Sequence, residues 1–385
     1  MPEQVVYRGE GAIHELKGML KRKTDGGIFI VGGSVAASGE LERIWREAAV
    51  PCVLFRDFSP NPRYEEAMRA VRLFQETGCD MIVGMGGGSA IDVAKCVKLF
   101  CSTADGTPDP RQDSEGNSRH PEQKPHADDV RLIAIPTTAG TGSEATRFAV
   151  VYDNGNKQSI CHDSILPDTV ILDGSFLKGL PDYQKRATLL DALCQAVESM
   201  WSIHSTEMSR GLAGKAIFSI LSNWNGYLAG EEWRNQRVLE AAYLSGKAIH
   251  LTQTTAAHAM SYKMTSLFGI AHGHAVALCL PHVWEYLYLH RDACTDPRGA
   301  GHLSRVLQEL SESFGGRSAA EGSQRFLSLL EEMEMYERRP ITSGQLTLLT
   351  ESVNPVRLKN TPVFLSGEAL EGMYRRVFVV DGTVK

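Results

Sequence analysis

No apolar run of about 18 residues occurs in this chain of 385 residues, so no segment has the makings of a membrane-spanning helix. No C-x-x-C pair occurs among its eight cysteines, which removes zinc knuckles and redox dithiols from consideration. Reduced, mostly buried thiols in a cytoplasmic protein are the expectation. The chain has no basic excess. Its 40 Lys and Arg face 46 Asp and Glu, a formal net charge of −6, and a nucleic-acid partner is not expected. The start, "MPEQVVYRGEGAIHELKG", carries Glu3, Glu10 and Glu15 and lacks the basic and apolar regions of a signal peptide. Neither a G-x-G-x-x-G fingerprint nor a Walker loop is found, and there is no internal repeat or heptad run.

What is present is enough for a large core. Hydrophobic residues make up 43% of the chain and charged residues 22%. The length favours two domains. In the first half, short β-branched runs alternate with amphipathic segments. "GIFIVGG", "PCVLFRD", "DMIVGMGGG" and "RLIAIPTT" read as strands, with "AVVYDN" and "DTVILDG" as further ones. "SGELERIWREAAV" and "NPRYEEAMRAVRLFQETG" read as helices between them. That alternation predicts a parallel sheet flanked by helices. The polar stretch 102–129 reads as a surface loop. From about residue 181 long amphipathic segments take over, among them "VLEAAYLSGKAIHLTQTTAAHAMSYKM", and an all-helical domain is predicted.

Two glycine-bearing turns follow strands. "GMGGGSAIDVAK" ends a buried run at Gly86, Gly87 and Gly88, then opens a helix at Ser89. Glycines let backbone approach an anion, and a helix N-terminus favours phosphate. The same pattern also suits a plain strand-to-helix turn. "IPTTAGTGSEAT" offers Thr137, Thr138 and Thr141 to a nucleotide, while Ser143 would serve equally as a helix cap.

In the second half, Asp191 and Gln195 of "DALCQAVE" lie four residues apart and share a helix face. His258 and His272 stand fourteen residues apart in "HAMSYKMTSLFGIAHGH". Such donors suit a divalent metal. Taken alone, a histidine in a helical domain is more often hydrogen-bonded structure than a ligand.

The motifs GGGSAIDVAK, PTTAGTGSEAT, DALCQAVE and HAMSYKMTSLFGIAHGH, in that order across the chain, resemble the iron-containing (group III) alcohol dehydrogenases. The resemblance implies a Rossmann-like α/β dinucleotide-binding domain over residues 1–180. It implies an all-α metal-binding and substrate domain over 181–385, the dehydroquinate synthase-like arrangement. It also implies a metal-dependent oxidoreductase passing hydride between NAD(P)H and a carbonyl. Carried onto this chain, the pyrophosphate falls on Gly86, Gly87, Gly88 and Ser89, with Asp92 near the cofactor. Thr137, Thr138, Thr141 and Lys157 line the sugar and nicotinamide. One divalent ion, Fe2+ or Zn2+, falls to Asp191, Gln195, His258 and His272. The family is often dimeric or larger, so a homodimer or larger homo-oligomer is expected.

Two departures from the family pattern stand out. Gln195 replaces a histidine ligand, so the amide either ligates weakly or leaves a three-ligand site completed by water. Tyr262 replaces a histidine of the proton relay, which leaves Tyr262 and His272 as the catalytic pair. His274 is an unusual addition with a supporting role expected. Where many members carry an aspartate after the first strand, this chain has Gly32, Gly33 and Ser34. With no carboxylate to repel a 2′-phosphate, NADPH is expected to be accepted, alongside NADH. "ATRFAVVY" and the segment 257–282 are most similar to the branch of the family that reduces phosphonoacetaldehyde to 2-hydroxyethylphosphonate. Arg147 and Lys263 are the candidate partners of the phosphonate. A general short-chain alcohol or aldehyde dehydrogenase, and a nucleotide-binding module with an inactive metal site, remain the rival expectations.

Overall fold

The computed structural model describes residues 4–23, 26–33, 36, 39–48, 50–101, 130–153 and 156–381. Ser34 and the polar stretch 102–129 lie outside the described residues. The chain divides into two compact units, Met1–Gly179 with Glu232–Leu239, and Leu180–Glu231 with Glu240–Lys385.

The first unit is built on β1 (Val5–Arg8), α1 (Glu15–Lys23), β2 (Ile28–Gly32), α2 (Gly39–Ala48), β3 (Cys52–Phe55), α3 (Tyr64–Thr77), β4 (Met81–Gly86), α4 (Gly88–Phe100), β5 (Arg131–Pro136), β6 (Phe148–Asp153), β7 (Asn156–Cys161) and β8 (Thr169–Leu172). Six strands pair in parallel in the order β1-β8-β5-β4-β2-β3. Strand β2 is buried throughout, as a strand covered on both faces must be. Its side chains alternate: Phe29 and Val31 join one core, Ile28 and Ile30 the other. Helix α3 stops at Gly78, whose φ of 65° is the left-handed cap that glycine tolerates. Two strands were not read from the sequence. Strand β1 forms a sheet edge, and β7 pairs antiparallel with β6 in a separate hairpin.

The order of the sheet locates a ligand crevice. From β2 the chain goes to β3 on one side, then to β4 on the other. Dinucleotides bind at such reversals, beyond the carboxyl ends of the strands. Gly32 and Gly86 end β2 and β4 in neighbouring register, and Gly86 pairs with Pro136 of β5.

The second unit carries α5 (Asp182–Trp201), α6 (Glu207–Leu228), the later part of α7 (Trp233–Thr252), α8 (Ala256–Phe268), α9 (His272–Leu289), α10 (Ala300–Ser313), α11 (Gly322–Glu332), β9 (Pro340–Ile341), α12 (Ser343–Glu351), α13 (Pro355–Leu358), α14 (Gly367–Val377) and β10 (Val379–Val380). It is helical but for the two-residue strands β9 and β10, which pair in parallel. Among the described residues no helix is long and apolar enough to cross a membrane. The single amphipathic segment expected over 238–264 is two helices. Gln253 adopts φ +56°, and the chain turns there between α7 and α8.

One buried charge cluster organises the first unit. Lys95 is fully buried, and its ammonium donates to Ser143 O, Ser143 Oγ, Thr146 Oγ1 and Phe148 O at 2.6–3.2 Å. Burial pulls its pKa down, against the pull of Asp92 and Glu144. Burial pushes Glu144 up, with Lys95 opposing. Replacing Lys95 by Met would strand these acceptors and carboxylates at a cost of about 3–5 kcal/mol. Native-state hydrogen exchange of the β4 and β5 amides measures that loss, and unchanged protection would refute it.

Candidate active site

Helix α5 is buried on all sides from Leu189 to Trp201, an apolar setting that makes every polar side chain costly. Yet Asp191, Gln195 and Glu198 sit there, within about 60° of one another round the helix. Each needs compensation.

For Glu198 the compensation is visible. Its Oε1 accepts from Thr255 Oγ1 at 2.6 Å, and from the amides of Ala257 (2.9 Å), Thr255 (3.2 Å) and His258 (3.4 Å). These are the free donors at the start of α8. Its Oε2 is bonded to His258 Nδ1. A carboxylate only accepts, so Nδ1 carries the proton and Nε2 presents a lone pair. That buried Nε2 has no hydrogen-bond partner and lies 3.4 Å from Asp191 Oδ1.

His272, the first residue of α9, is set the same way. Ser261 Oγ donates to His258 O at 2.8 Å, so at 3.3 Å it accepts from His272 Nδ1. Its Nε2 therefore also presents a lone pair, 3.9 Å from Asp191 Oδ1. One donor atom from each of Asp191, His258 and His272 lies within 4.8 Å of the others. Ligands bound tetrahedrally at about 2.0–2.1 Å stand about 3.4 Å apart, so the spacing fits one ion. Three lone pairs aimed at one point repel unless a metal ion or a proton lies between them. Burial disfavours a charged His258, but Glu198 and Asp191 outweigh it and raise its pKa. The position calls for positive charge. His258 and Asp191 are deeply buried, while His272 is 29% exposed, which puts the accessible side of the site there.

The remaining predicted residues fall as follows. Gln195 is buried one turn from Asp191, and its Oε1 lies 3.4 Å from Ser245 Oγ. The Tyr262 ring stacks on His272 with centroids 5.7 Å apart. Lys263 sits about 140° round α8 from His258, and no ion pair involves it among the described residues. His274 does not point to the donors. Its Nε2 donates to Met335 O at 2.9 Å, and its Nδ1 accepts from Tyr183 Oη at 3.1 Å. Burial lowers its pKa, and it clamps the start of α9 as a neutral ring. Tyr183 Oη in turn accepts from the Ala271 amide at 3.1 Å.

In the first unit, Gly86 has φ +154°, and a Cβ there would meet Ala90 at 2.7 Å. Gly88 packs on Thr141, where a Cβ would come within 2.8 Å. Gly87 lies against Thr138, and the Thr137 amide donates to Gly86 O at 2.9 Å. Ser89 Oγ accepts from the Asn61 amide at 3.3 Å. The two motifs thus form one turn-on-turn arrangement at the sheet's reversal. Asp92 lies behind it, bonded to Ser143 Oγ (2.6 Å) and the Val150 amide (3.1 Å). Burial raises its pKa, with Lys95 and Lys157 among the opposing groups. Its oxygens serve the protein rather than the open side of the turn. Arg147 likewise is engaged, in an ion pair with Asp163. Gly33 follows Gly32 with open space around it.

Sequence reasoning passed over Glu198, Ser261 and Gly273. Glu198 is seven residues from Asp191 and Ser261 three from His258, spacings that share a helix face. Gly273 carries the closest approach: a Cβ there would lie 2.0 Å from Ala187 O and 2.6 Å from Asp191 Cβ. Alanine at Gly273 would force α9 off α5 and draw His272 from Asp191. Affinity for added Zn2+, read by competition with a chelator, is expected to fall about tenfold or more. Equal affinity would remove Gly273 from the architecture of the site.

Comparison with known proteins gives a consistent picture. The family description "Iron-containing alcohol dehydrogenase" matches residues 2–174, and "Fe-containing alcohol dehydrogenase family, C-terminal" matches 185–338. Phosphonoacetaldehyde reductase of Streptomyces viridochromogenes is 34% identical over 279 residues, 70% of this chain and 68% of that protein. Long-chain-alcohol dehydrogenase 1 of Geobacillus thermodenitrificans is 29% identical over 329 residues, 84% of this chain and 80% of that protein. Sulfoacetaldehyde reductase of Bifidobacterium kashiwanohense, solved in complex with NAD+, superposes with a TM-score of 0.83 at 26% identity, covering 98% of each chain.

Proposed function

This chain belongs to the iron-containing alcohol dehydrogenase family, and on that premise we propose that it reduces phosphonoacetaldehyde to 2-hydroxyethylphosphonate with NADPH or NADH. Members of the family are oxidoreductases that use a nicotinamide dinucleotide and a divalent metal. The observation that carries the reading is the convergence of Asp191, His258 and His272. The substrate rests on the relatives. Phosphonoacetaldehyde and sulfoacetaldehyde are both two-carbon aldehydes bearing a tetrahedral oxyanion.

Asp191, His258 and His272 would hold the ion, Fe2+ or Zn2+, with Gln195 as a fourth, weaker donor. When bound, the ion would supply Lewis-acid polarisation of a carbonyl oxygen and the reduced nicotinamide would supply hydride. Hydride and one proton convert the aldehyde to the alcohol, leaving the oxidised dinucleotide. Tyr262, stacked on His272, takes the place of the relay histidine as proton donor. Gly86, Gly87, Gly88 and Ser89 cradle the pyrophosphate at the start of α4. Thr137, Thr138, Thr141 and Lys157 complete the dinucleotide site. Asp92 acts one layer behind, through Ser143. For the phosphonate, Lys263 is the candidate put to the test, because Arg147 is paired with Asp163, although Lys263 is turned about 140° round α8 from His258.

A general alcohol dehydrogenase is the second reading, favoured by the similarity to a long-chain-alcohol enzyme. Steady-state kinetics separates the two. Under the proposal kcat/KM for phosphonoacetaldehyde exceeds that for propanal. Lys263→Met is then expected to raise KM for the phosphonate about tenfold or more and leave propanal unaffected. A chain that prefers propanal, or a K263M effect equal on both substrates, refutes the corresponding claim.

Cofactor choice follows from Gly33. A carboxylate at that open position would meet the adenosine ribose and repel a 2′-phosphate. Gly33→Asp is expected to lower the NADPH/NADH ratio of kcat/KM about tenfold or more. A wild-type chain that turns over NADH alone would overturn the prediction.

A further inference from the structure

We propose that Glu198 is the positioning residue of the metal centre: through the Nδ1–H of His258 it fixes that ring and strengthens it as a donor to the divalent ion. The inference rests on the metal reading above.

Glu198 is 0% exposed, and both its oxygens are committed. Oε1 gathers the amides that open α8, and Oε2 holds the imidazole two residues into that helix. One carboxylate thereby sets where α8 begins and how His258 is turned. The approach to α8 is built to meet it. The chain leaves α7, reverses at the left-handed Gln253, and Asn360 Nδ2 holds Thr254 O at 3.1 Å. Trp201 Nε1 donates to Thr255 Oγ1 at 2.9 Å, and that hydroxyl donates to Glu198. The Nδ1–H of the imidazole is thereby committed to Oε2.

The charge count adds a separate reason. Asp191 is the one anionic donor in the three-residue cluster, and Gln195 is neutral. A dication placed there would leave an uncompensated positive charge in an apolar helix bundle. Glu198, one imidazole away, supplies the second negative charge. A ligating histidine whose outer nitrogen donates to a carboxylate is a more basic ligand, and loss of such a partner typically weakens metal binding. A plain helix cap would need Oε1 alone. The bond from Oε2 to the ring separates the two roles.

The test compares the apo forms of wild type, E198Q and T255A. Each is titrated with Zn2+ against a competing chelator, and the visible spectrum of each Co2+-loaded form is recorded. Thr255→Ala removes the hydroxyl bond to Oε1, keeps the backbone amides on it and leaves Oε2 on His258. E198Q is expected to bind Zn2+ about 10–100-fold more weakly than wild type, with displaced Co2+ bands. T255A is expected to stay within about threefold of wild type, with unchanged bands. E198Q affinity within about threefold of wild type overturns the proposal. So does a T255A loss equal to that of E198Q, which reduces Glu198 to a cap. If E198Q does not fold, E198D, whose carboxylate is drawn back by one methylene, is compared with T255A. Weaker Zn2+ binding by E198D supports the proposal, and equal binding overturns it. Wild-type protein that takes up neither ion sinks the metal reading itself, an outcome distinct from either of these.

Discussion

Three lone pairs aimed at one buried point cannot stand unbalanced, and the helical unit is arranged around that fact. Asp191 Oδ1, His258 Nε2 and His272 Nε2 come from α5, α8 and α9. Each imidazole has its other nitrogen fixed as a donor, to Glu198 in one case and Ser261 in the other. Neither ring can relieve the repulsion by changing tautomer without losing that bond. Helix α9 reaches α5 because Gly273 lets backbone pass where any side chain would collide. Tyr183 and His274 then pin the same end of α9 to the residues around it. Each of these contacts makes sense as the support of one electropositive guest.

The α/β unit treats buried charge in the opposite way. Lys95, Asp92 and Glu144 are also drawn into the interior, yet Lys95 and Asp92 are bonded to protein atoms and Glu144 is opposed by the charge of Lys95. The ammonium is surrounded by carbonyls and hydroxyls of the segment 143–148, so that segment is held against α4. The glycine turn and the threonine turn are thereby fastened to one another from behind. Their exposed side is left to the ligand that a sheet reversal and a helix N-terminus favour. The buried ammonium of the first unit is satisfied by protein atoms, whereas His258 Nε2 of the second has no hydrogen-bond partner.

Much of this is legible in the sequence where physics acts locally. Runs such as "IFIVG" and "MIVGMG" read as buried parallel strands because both faces are covered and no alternation survives. Strand β1 is half-exposed and four residues long, and β7 is polar, so neither stands out. The break at Gln253 was invisible, because the apolar pattern runs across it and only a distant carboxylate gives the new helix its start. His258 and His272 became a pair through family resemblance, since spacing alone says nothing of how α8 and α9 pack. Glu198 lay in plain view in "DALCQAVE" and was passed over for the same reason. Its partner is 60 residues away, and no local rule joins them. Arg147, equally open in the sequence to an anion or to a nearby carboxylate, is paired with Asp163 of the adjoining turn.

The exchange of histidine for Gln195 is best understood through the same charge logic. Histidine and glutamine ligands are both neutral, so the substitution leaves the electrostatic balance of the cluster untouched. What it removes is donor strength, because an amide oxygen is a harder and weaker ligand than an imidazole nitrogen. The remaining set of one carboxylate and two imidazoles still suits Fe2+ and Zn2+ alike. If those three hold the ion, selectivity between the metals would rest on how firmly they are held. Ser245, beside Gln195, gives the amide a neighbour of its own within the protein. The rigidity therefore has to come from the residues behind the ligands, and among these the carboxylate of Glu198 bears on both the geometry and the charge.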